Sequence, residues 1–252
     1  MTRALPWLIL LLGFLQPLSS ALAPLLGIGT PIGADSANTD APEQPLPAFF
    51  SIWGLIFLAY AGFGLAGILR PASWFPRAGW PMLVAGLANI VWMLSAQLIA
   101  LQPLNFALLA PIFAGAWIAC ARLEAVRAVD RGLTFRIADA ATGLLAGWIS
   151  VATAISVPLT IRTFTGLAPT DFPWPMFWTT FAVACAASWL FTAFVSRSFW
   201  FFAALGWGFL GVVLNNWLRT EMHFIAIAAA IGTAAILLVR VTRAPKRTKP
   251  AA

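Results

Sequence analysis

The side chains with the greatest chemical potential in this sequence are aromatic rings and neutral amides rather than acids and bases. The chain has 13 tryptophans and 20 phenylalanines but a single histidine. Asn89 and Trp92 lie three residues apart and therefore share one face of a predicted helix. Trp148, Ala152 and Ser156 recur at steps of four and share a face of another helix. Flat apolar walls with a few hydrogen-bonding groups suit a planar, hydrophobic ligand.

A third aromatic set begins where a polar stretch ends at Pro47. Phe50, Trp53 and Phe57 recur at steps of three and four, so they lie on one face of the helix that follows. Trp53 lies near the start of this helix, where an indole gains from an apolar environment for its ring and a hydrated N–H. The three sets together predict a pocket that three different helices build.

Packing and interface roles compete with ligand binding for these residues. Packing between helices is the more frequent role for indoles such as Trp53, Trp92 and Trp148, and an interhelical hydrogen bond is the more frequent role for an amide such as Asn89. The tryptophans near the ends of predicted spans are typical of the aromatic belt at a membrane interface; they are Trp74, Trp80, Trp174, Trp178, Trp200 and Trp217.

The sequence offers no enzyme chemistry and no metal site. Cysteine, histidine and acidic residues do not recur at metal-ligand spacing, and no glycine-rich phosphate loop is present. The only histidine, His223, lies at a predicted helix end beside Glu221, where an interfacial polar role is more frequent than haem ligation. No charged residue lies near the middle of a predicted span, which argues against an ion-coupled transporter. We therefore predict no catalytic residue and no bound metal.

Composition places the chain in a membrane. Hydrophobic residues make up 61% of the sequence and charged residues only 9%, whereas soluble domains carry about 25% charged residues. A polytopic helical protein tolerates this composition because lipid is its solvent. The predicted fold class is therefore an all-α, polytopic transmembrane bundle.

Eight apolar runs approach the roughly 20 residues that span a bilayer. The first run is interpreted as a retained helix; a cleaved signal peptide is the alternative, because residues 20–23 end in a small-x-small pattern. Residues 30–46 are predicted to form a loop on the membrane surface, and residues 122–139 a charged loop. The predicted spans are residues 5–28, 48–69, 80–101, 104–121, 140–161, 176–196, 199–218 and 221–240.

The basic residues sort to one side of this eight-span topology. Only Arg162 and Arg219 of the 15 basic residues fall on the other side. The positive-inside rule then makes the arginine-rich side, with both termini, cytoplasmic. The net charge of +7 is explained by this orientation, and no nucleic-acid partner is expected.

Three separated stretches resemble the TspO family of tryptophan-rich sensory and translocator proteins. Residues 47–57 resemble the start of the family's second helix, with Phe57 where tyrosine is usual. Residues 87–92 resemble its third-helix Asn-x-x-Trp element, and residues 147–153 its fifth-helix Trp-x-x-x-Ala element. Two departures concern the ligand: residues 30–46 lack the tryptophan of short members, and Ser156 stands where asparagine is common.

The resemblance implies a five-helix core over residues 1–169, three additional helices over residues 170–240 and a basic tail over residues 241–252. It implies a bundle, often dimeric, in the bacterial cytoplasmic (inner) membrane. Such a bundle binds a tetrapyrrole or sterol-like molecule in a cavity open toward the first loop, as sensor or carrier. Haem or another porphyrin would be a ligand rather than a cofactor. The expected ligand-binding residues are Phe50, Trp53, Phe57, Asn89, Trp92, Trp148, Ala152 and Ser156.

Two other functions stay open from the sequence. The number of helices, with Pro111 and Pro158 inside two of them as gate candidates, is also typical of an uncoupled small-solute permease. A membrane scaffold subunit without a ligand is the third interpretation. The lipid bilayer is a partner in all three.

Overall fold

A computed structural model describes residues 3–34 and 39–242, and within these ranges the chain forms nine α-helices and no strand. A 3₁₀ turn over Pro47–Ser51 precedes α3, and a π-helical segment over Phe191–Val195 follows α7. Residues 243–252, most of the predicted basic tail, lie outside the described residues. The helices are α1 (Leu5–Ser20), α2 (Leu22–Leu26), α3 (Ile52–Leu69), α4 (Phe75–Leu98), α5 (Gln102–Glu124), α6 (Leu133–Thr165), α7 (Pro173–Leu190), α8 (Phe199–Leu218) and α9 (His223–Thr242).

The predicted all-α transmembrane bundle is confirmed. Seven helices of the described chain, α3 to α9, are long and apolar enough to cross a membrane. The first predicted span is divided instead into the 16-residue α1 and the short α2. Pro24 explains the division, because a proline has no N–H to donate to the carbonyl four residues earlier.

Two helices begin at least five residues earlier than the sequence-based spans. Helix α4 begins at Phe75 rather than at residue 80, with Pro76 in its first turn, where a missing N–H costs little. Helix α6 has 33 residues and begins at Leu133, so Arg136 and Asp139 belong to a helix and not to a loop. A helix that extends past the hydrocarbon layer can carry charge, which is why apolar length underestimates α6.

Ionic contacts fix the arginine-rich end of the bundle. Arg127 pairs with Asp139 of α6 at 2.6 Å and with Glu124 of α5 at 2.7 Å. Glu124 also pairs with Arg197 at 2.7 Å, which ties the connection before α8 to the same cluster. These pairs position the beginnings of α6 and α8 side by side.

A second contact at this end involves Trp74 and Asp130. The indole Nε1 donates a hydrogen bond of 2.7 Å to Asp130 Oδ2, and the backbone N–H of Gly132 donates one of 2.8 Å to Oδ1. Both bonds favour the charged carboxylate, with the Trp74 bond the larger cause, and hold the pKa of Asp130 below its usual range. The turn between α5 and α6 is thereby attached to the start of α4.

Helix α6 occupies the centre of the bundle and packs on α3, α5, α7 and α8. Gly143 and Gly147, four residues apart, face α8: a Cβ on Gly147 would collide with the Phe201 carbonyl oxygen. This spacing is typical of close helix approach. The close contact brings α8 directly against α6; α7 also packs on α6, whereas α9 packs on α7 and α8.

Candidate functional site

A cavity of about 120 Å³ lies between α3, α4, α5 and α6, beneath the first loop. Its apolar walls combine four aromatic rings with aliphatic side chains such as Ile155 and Leu159, and its polar side chains are neutral amides and one hydroxyl. No charged side chain lines it in the part of the chain that the structure describes. The polar lining residues are Gln44, Gln102, Asn105 and Ser156.

Trp53 of α3 is the centre of the aromatic wall. Its ring centroid lies 5.8 Å from that of Trp92 on α4 and 6.2 Å from that of Trp148 on α6, the latter edge-on. Phe50, on the 3₁₀ turn before α3, meets Trp148 edge-on at 5.6 Å. These spacings and tilts lie in the favourable range for aromatic pairs. The three predicted aromatic sets therefore meet at one place.

The indole N–H of Trp53 is buried without a hydrogen-bond acceptor among the described residues. Only 6% of the Trp53 surface is exposed. Burying an unpaired donor costs about 1–3 kcal/mol. Unpaired buried donors are few in native structures, so each one needs an explanation, such as a bound molecule that accepts its hydrogen bond.

Six of the eight expected ligand-binding residues line the cavity, and two lie elsewhere. Phe57 lies behind the wall, with its ring stacked on Trp53 at 5.7 Å. Asn89 is fully buried and donates a hydrogen bond of 2.7 Å to Gln16 Oε1 on α1. Ligand binding by any of the eight stays a prediction. The six that line the cavity are Phe50, Trp53, Trp92, Trp148, Ala152 and Ser156.

The link between Asn89 and Gln16 is part of the contact between α1 and α4. Gln16 Nε2 donates in turn to the Leu12 carbonyl oxygen at 3.1 Å. Further along α4, Gln97 Nε2 donates to the Ser19 carbonyl oxygen at 2.8 Å, and Gln97 Oε1 accepts from the Ala23 N–H. Asn89 therefore joins two helices, the more frequent role of an amide inside a bundle.

Sequence reasoning missed three polar residues of the cavity: Gln44, Gln102 and Asn105. Gln102 and Asn105 are three residues apart in the first turn of α5, which is a spacing that places both on one face. Ser95 Oγ donates to Asn105 Oδ1 at 2.8 Å and orients this amide. This spacing is visible in the sequence, but the tight turn predicted at Gln102 places that residue outside the predicted helix and hides the shared face.

The composition of the first loop predicts a surface position, but part of this loop is buried. Residues 41–45 are buried, and Glu43 is fully inaccessible. Glu43 Oε1 forms an ion pair of 3.0 Å with Arg162 near the end of α6. The predicted surface location is therefore wrong for residues 41–45, because a basic partner 119 positions away compensates the charge of Glu43.

Arg162 also connects the loop between α6 and α7 to this end of the bundle. Its guanidinium donates to the carbonyl oxygens of Ala168 and Asp171. Arg219, just after the end of α8, pairs with Asp40 at 3.5 Å. The two basic residues assigned to this side from the sequence thus both pair with acids of the first loop.

The described residues contain no group of three or more histidine, cysteine or acidic side chains that could hold an ion. His223 packs edge-on against the Trp217 ring at 4.8 Å, away from the cavity. The cavity can therefore offer stacking surfaces and neutral hydrogen bonds.

Comparison with known proteins adds the family. A search of curated proteins and a search of solved structures each found no match. A family model described as TSPO-like protein matches residues 7–242, which include the cavity and reach from α1 to the end of α9. The match extends through α7, α8 and α9 and is not confined to the first five spans. The chain is a multi-pass membrane protein that belongs to the TSPO-like family.

Proposed function

We propose that this protein binds a flat, hydrophobic ligand, of the tetrapyrrole or sterol-like class, in the cavity around Trp53, and acts as a sensor or carrier. The observation that supports the proposal most is the buried, unpaired N–H of Trp53 in the wall of that cavity. A ligand with a hydrogen-bond acceptor would pair this donor while its rings stack on the indoles. The neutral lining favours an uncharged part of the ligand.

Cavity size divides the candidate ligands into two groups. Pockets for drug-sized ligands measure roughly 300–1,000 Å³, and this cavity measures about 120 Å³. A single aromatic ring is close to the size of the cavity, whereas a fused ring system and above all a porphyrin must displace part of the lining. We expect the first loop to move to admit a larger ligand, since it contributes Gln44 and Pro45 from outside the helices.

The proposed setting is the bacterial cytoplasmic membrane, with both termini in the cytoplasm and no enzymatic activity. The distribution of arginine supports this orientation, because Arg162 and Arg219 are the two basic residues on the side of the first loop. A homodimer is the proposed assembly, by analogy with the family resemblance alone.

Ligand binding is tested by titrating the purified protein with protoporphyrin and, separately, with 1-aminoanthracene as a small neutral planar probe. Tryptophan quenching and probe emission report binding. Trp92→Phe and Trp148→Phe each reduce the stacking surface and should weaken binding of a probe about threefold to tenfold. Trp217→Phe is the matched control, because Trp217 is half exposed and does not line the cavity.

Wild-type affinity in both cavity variants would contradict the proposed site. Equal weakening in the Trp217→Phe control would also contradict it, because the loss would then be unrelated to the cavity. If neither probe binds to the wild-type protein, the two alternatives, an uncoupled permease and a scaffold subunit, become the better interpretations.

A further inference from the structure

Helix α8 holds the segment that covers the cavity. We define this roof segment as residues 41–51; it contributes Gln44, Pro45 and Phe50 to the cavity lining. No residue of α8 lines the cavity itself. Any influence of α8 on a ligand must therefore act through the roof segment.

Three hydrogen bonds join α8 to the roof segment at three different heights. The Leu46 N–H donates to the Gly211 carbonyl oxygen at 2.9 Å. Trp207 Nε1 donates to the Phe49 carbonyl oxygen at 2.8 Å, and Asn216 Nδ2 donates to the Pro42 carbonyl oxygen at 2.7 Å. The roof backbone is thus bonded to α8 on both sides of the two loop residues that face the cavity.

Side-chain packing reinforces these bonds. The Phe49 ring lies 4.5 Å from the Trp207 ring, centroid to centroid. A Cβ on Gly211 would lie 2.7 Å from Pro45 Cβ and 2.8 Å from Phe49 Cγ, so only glycine lets the roof segment approach this closely. Helix α8 is in turn held against α6 through Gly147, which gives the roof a fixed support.

We infer that Trp207 and Asn216 are positioning residues that keep the roof segment closed over the cavity and set the rate of ligand entry and exit. The inference rests on the proposed function for its ligand but not for the closure itself. The three bonds are made in the ligand-free protein, and we expect the roof to close again over a bound probe, so loosening the bonds should raise the association and dissociation rates together. The affinity should then change little.

Roof closure is tested without any ligand by cysteine accessibility. Ala41 is buried, with 1% of its surface exposed, and lies at the start of the roof segment. Ala41→Cys is made in a Cys185→Ser background, which leaves only the buried Cys120. Reaction with a maleimide then reports opening of the roof.

Two clamp variants and one control are compared in this background. Trp207→Phe removes the N–H donor and keeps a ring beside Phe49; Asn216→Leu removes the other donor at similar volume. Each should raise the maleimide reaction rate about threefold to tenfold, and the double variant should raise it further. Trp217→Phe makes the same substitution on the same helix, at a ring that packs on His223 instead of the roof, and should leave the rate unchanged.

Stopped-flow mixing with 1-aminoanthracene completes the test. Faster association and faster dissociation, with a dissociation constant within about twofold of wild type, support the inference. Maleimide rates that stay at the wild-type value in both clamp variants, in monodisperse protein, overturn it. If labelling accelerates but the wild-type protein binds no probe, the closure stands and the proposed ligand function falls.

Discussion

At the scale of single residues, Trp53 has an unusual combination of roles. Its ring contacts Trp92, Trp148 and Phe57, which should stabilise the fold, whereas its N–H is buried without an acceptor among the described residues. Trp74 offers a comparison, since its N–H is satisfied by Asp130. The two indoles are equally buried, at 6% exposure, and differ in this bond.

Replacing these two tryptophans by phenylalanine should therefore have different effects. Trp53→Phe loses ring packing but also removes an unsatisfied donor, so the melting temperature of the ligand-free protein should fall less than in Trp74→Phe, while affinity for the probe should fall about fivefold to tenfold. Trp74→Phe removes a satisfied donor and should lower the melting temperature without changing probe affinity. Melting curves and titrations on both variants check this, and a lower melting temperature for Trp53→Phe alone would contradict it.

Asn89 shows what spacing along a helix can and cannot predict. Asn89 and Trp92 share a face by their three-residue step, yet only Trp92 reaches the cavity. The deciding partner is Gln16, on a helix 73 positions earlier, and no local pattern announces that hydrogen bond. Trp53, Trp92 and Trp148 are predictable as wall residues because large rings on the facing sides of three helices fill the space between them, whereas Phe57 lies one layer behind.

At the scale of elements, the contact between α6 and α8 depends on a glycine. A Cβ at Gly147 meets the backbone of Phe201, which cannot turn away as a side chain can. A Cβ at Gly54 of α3, by contrast, would meet no described atom within 4 Å beyond its own stretch of helix. Comparing substitutions at Gly147 and Gly54 separates the destabilisation caused by steric overlap with α8 from the general effect of a larger residue in a helix.

Gly147→Val should destabilise the protein by about 1–3 kcal/mol, because α8 must move away from α6. Gly54→Val should have a much smaller effect. Unfolding in increasing concentrations of dodecyl sulfate, followed by circular dichroism, compares the two. Equal destabilisation of both variants would show that the close approach at Gly147 is not important.

The apolar runs predict the order of the helices. They do not predict where the helices end or that part of the first loop is buried. The charge of Asp139 predicts a loop, but its partner Arg127 allows it to lie in a helix. The charge of Glu43 predicts a surface position, and Arg162 allows it to be buried. In each case a distant opposite charge reverses a local expectation.

At the scale of the whole molecule, the predicted division into a five-helix core and three additional helices follows the sequence pattern. We do not expect the core to be stable without the additional helices. Helix α8 covers Gly143 and Gly147 of the core and bonds to the first loop. Removing it would expose these surfaces together with unpaired backbone groups of residues 42–49, which lipid cannot satisfy.

A chain ending at residue 169 should therefore aggregate or migrate as a broad peak in size-exclusion chromatography, under conditions in which the full chain is monodisperse. Adding residues 170–252 as a separate co-expressed chain should restore a single peak, because the interface and not the covalent link supplies the contacts. A monodisperse truncated chain that binds 1-aminoanthracene with full-length affinity would contradict this prediction.

Helix α6 carries an ion pair near each of its ends, Asp139 with Arg127 and Arg162 with Glu43. The two α6 residues are separated by roughly 35 Å at the rise of an ideal helix. The hydrocarbon layer of a typical bilayer is about 30 Å thick. The paired charges therefore bracket that layer, and a thicker membrane would pull acyl chains over them. We therefore expect the end of α6 that pairs with Glu43, and the first loop attached to it, to respond to the chain length of the lipid.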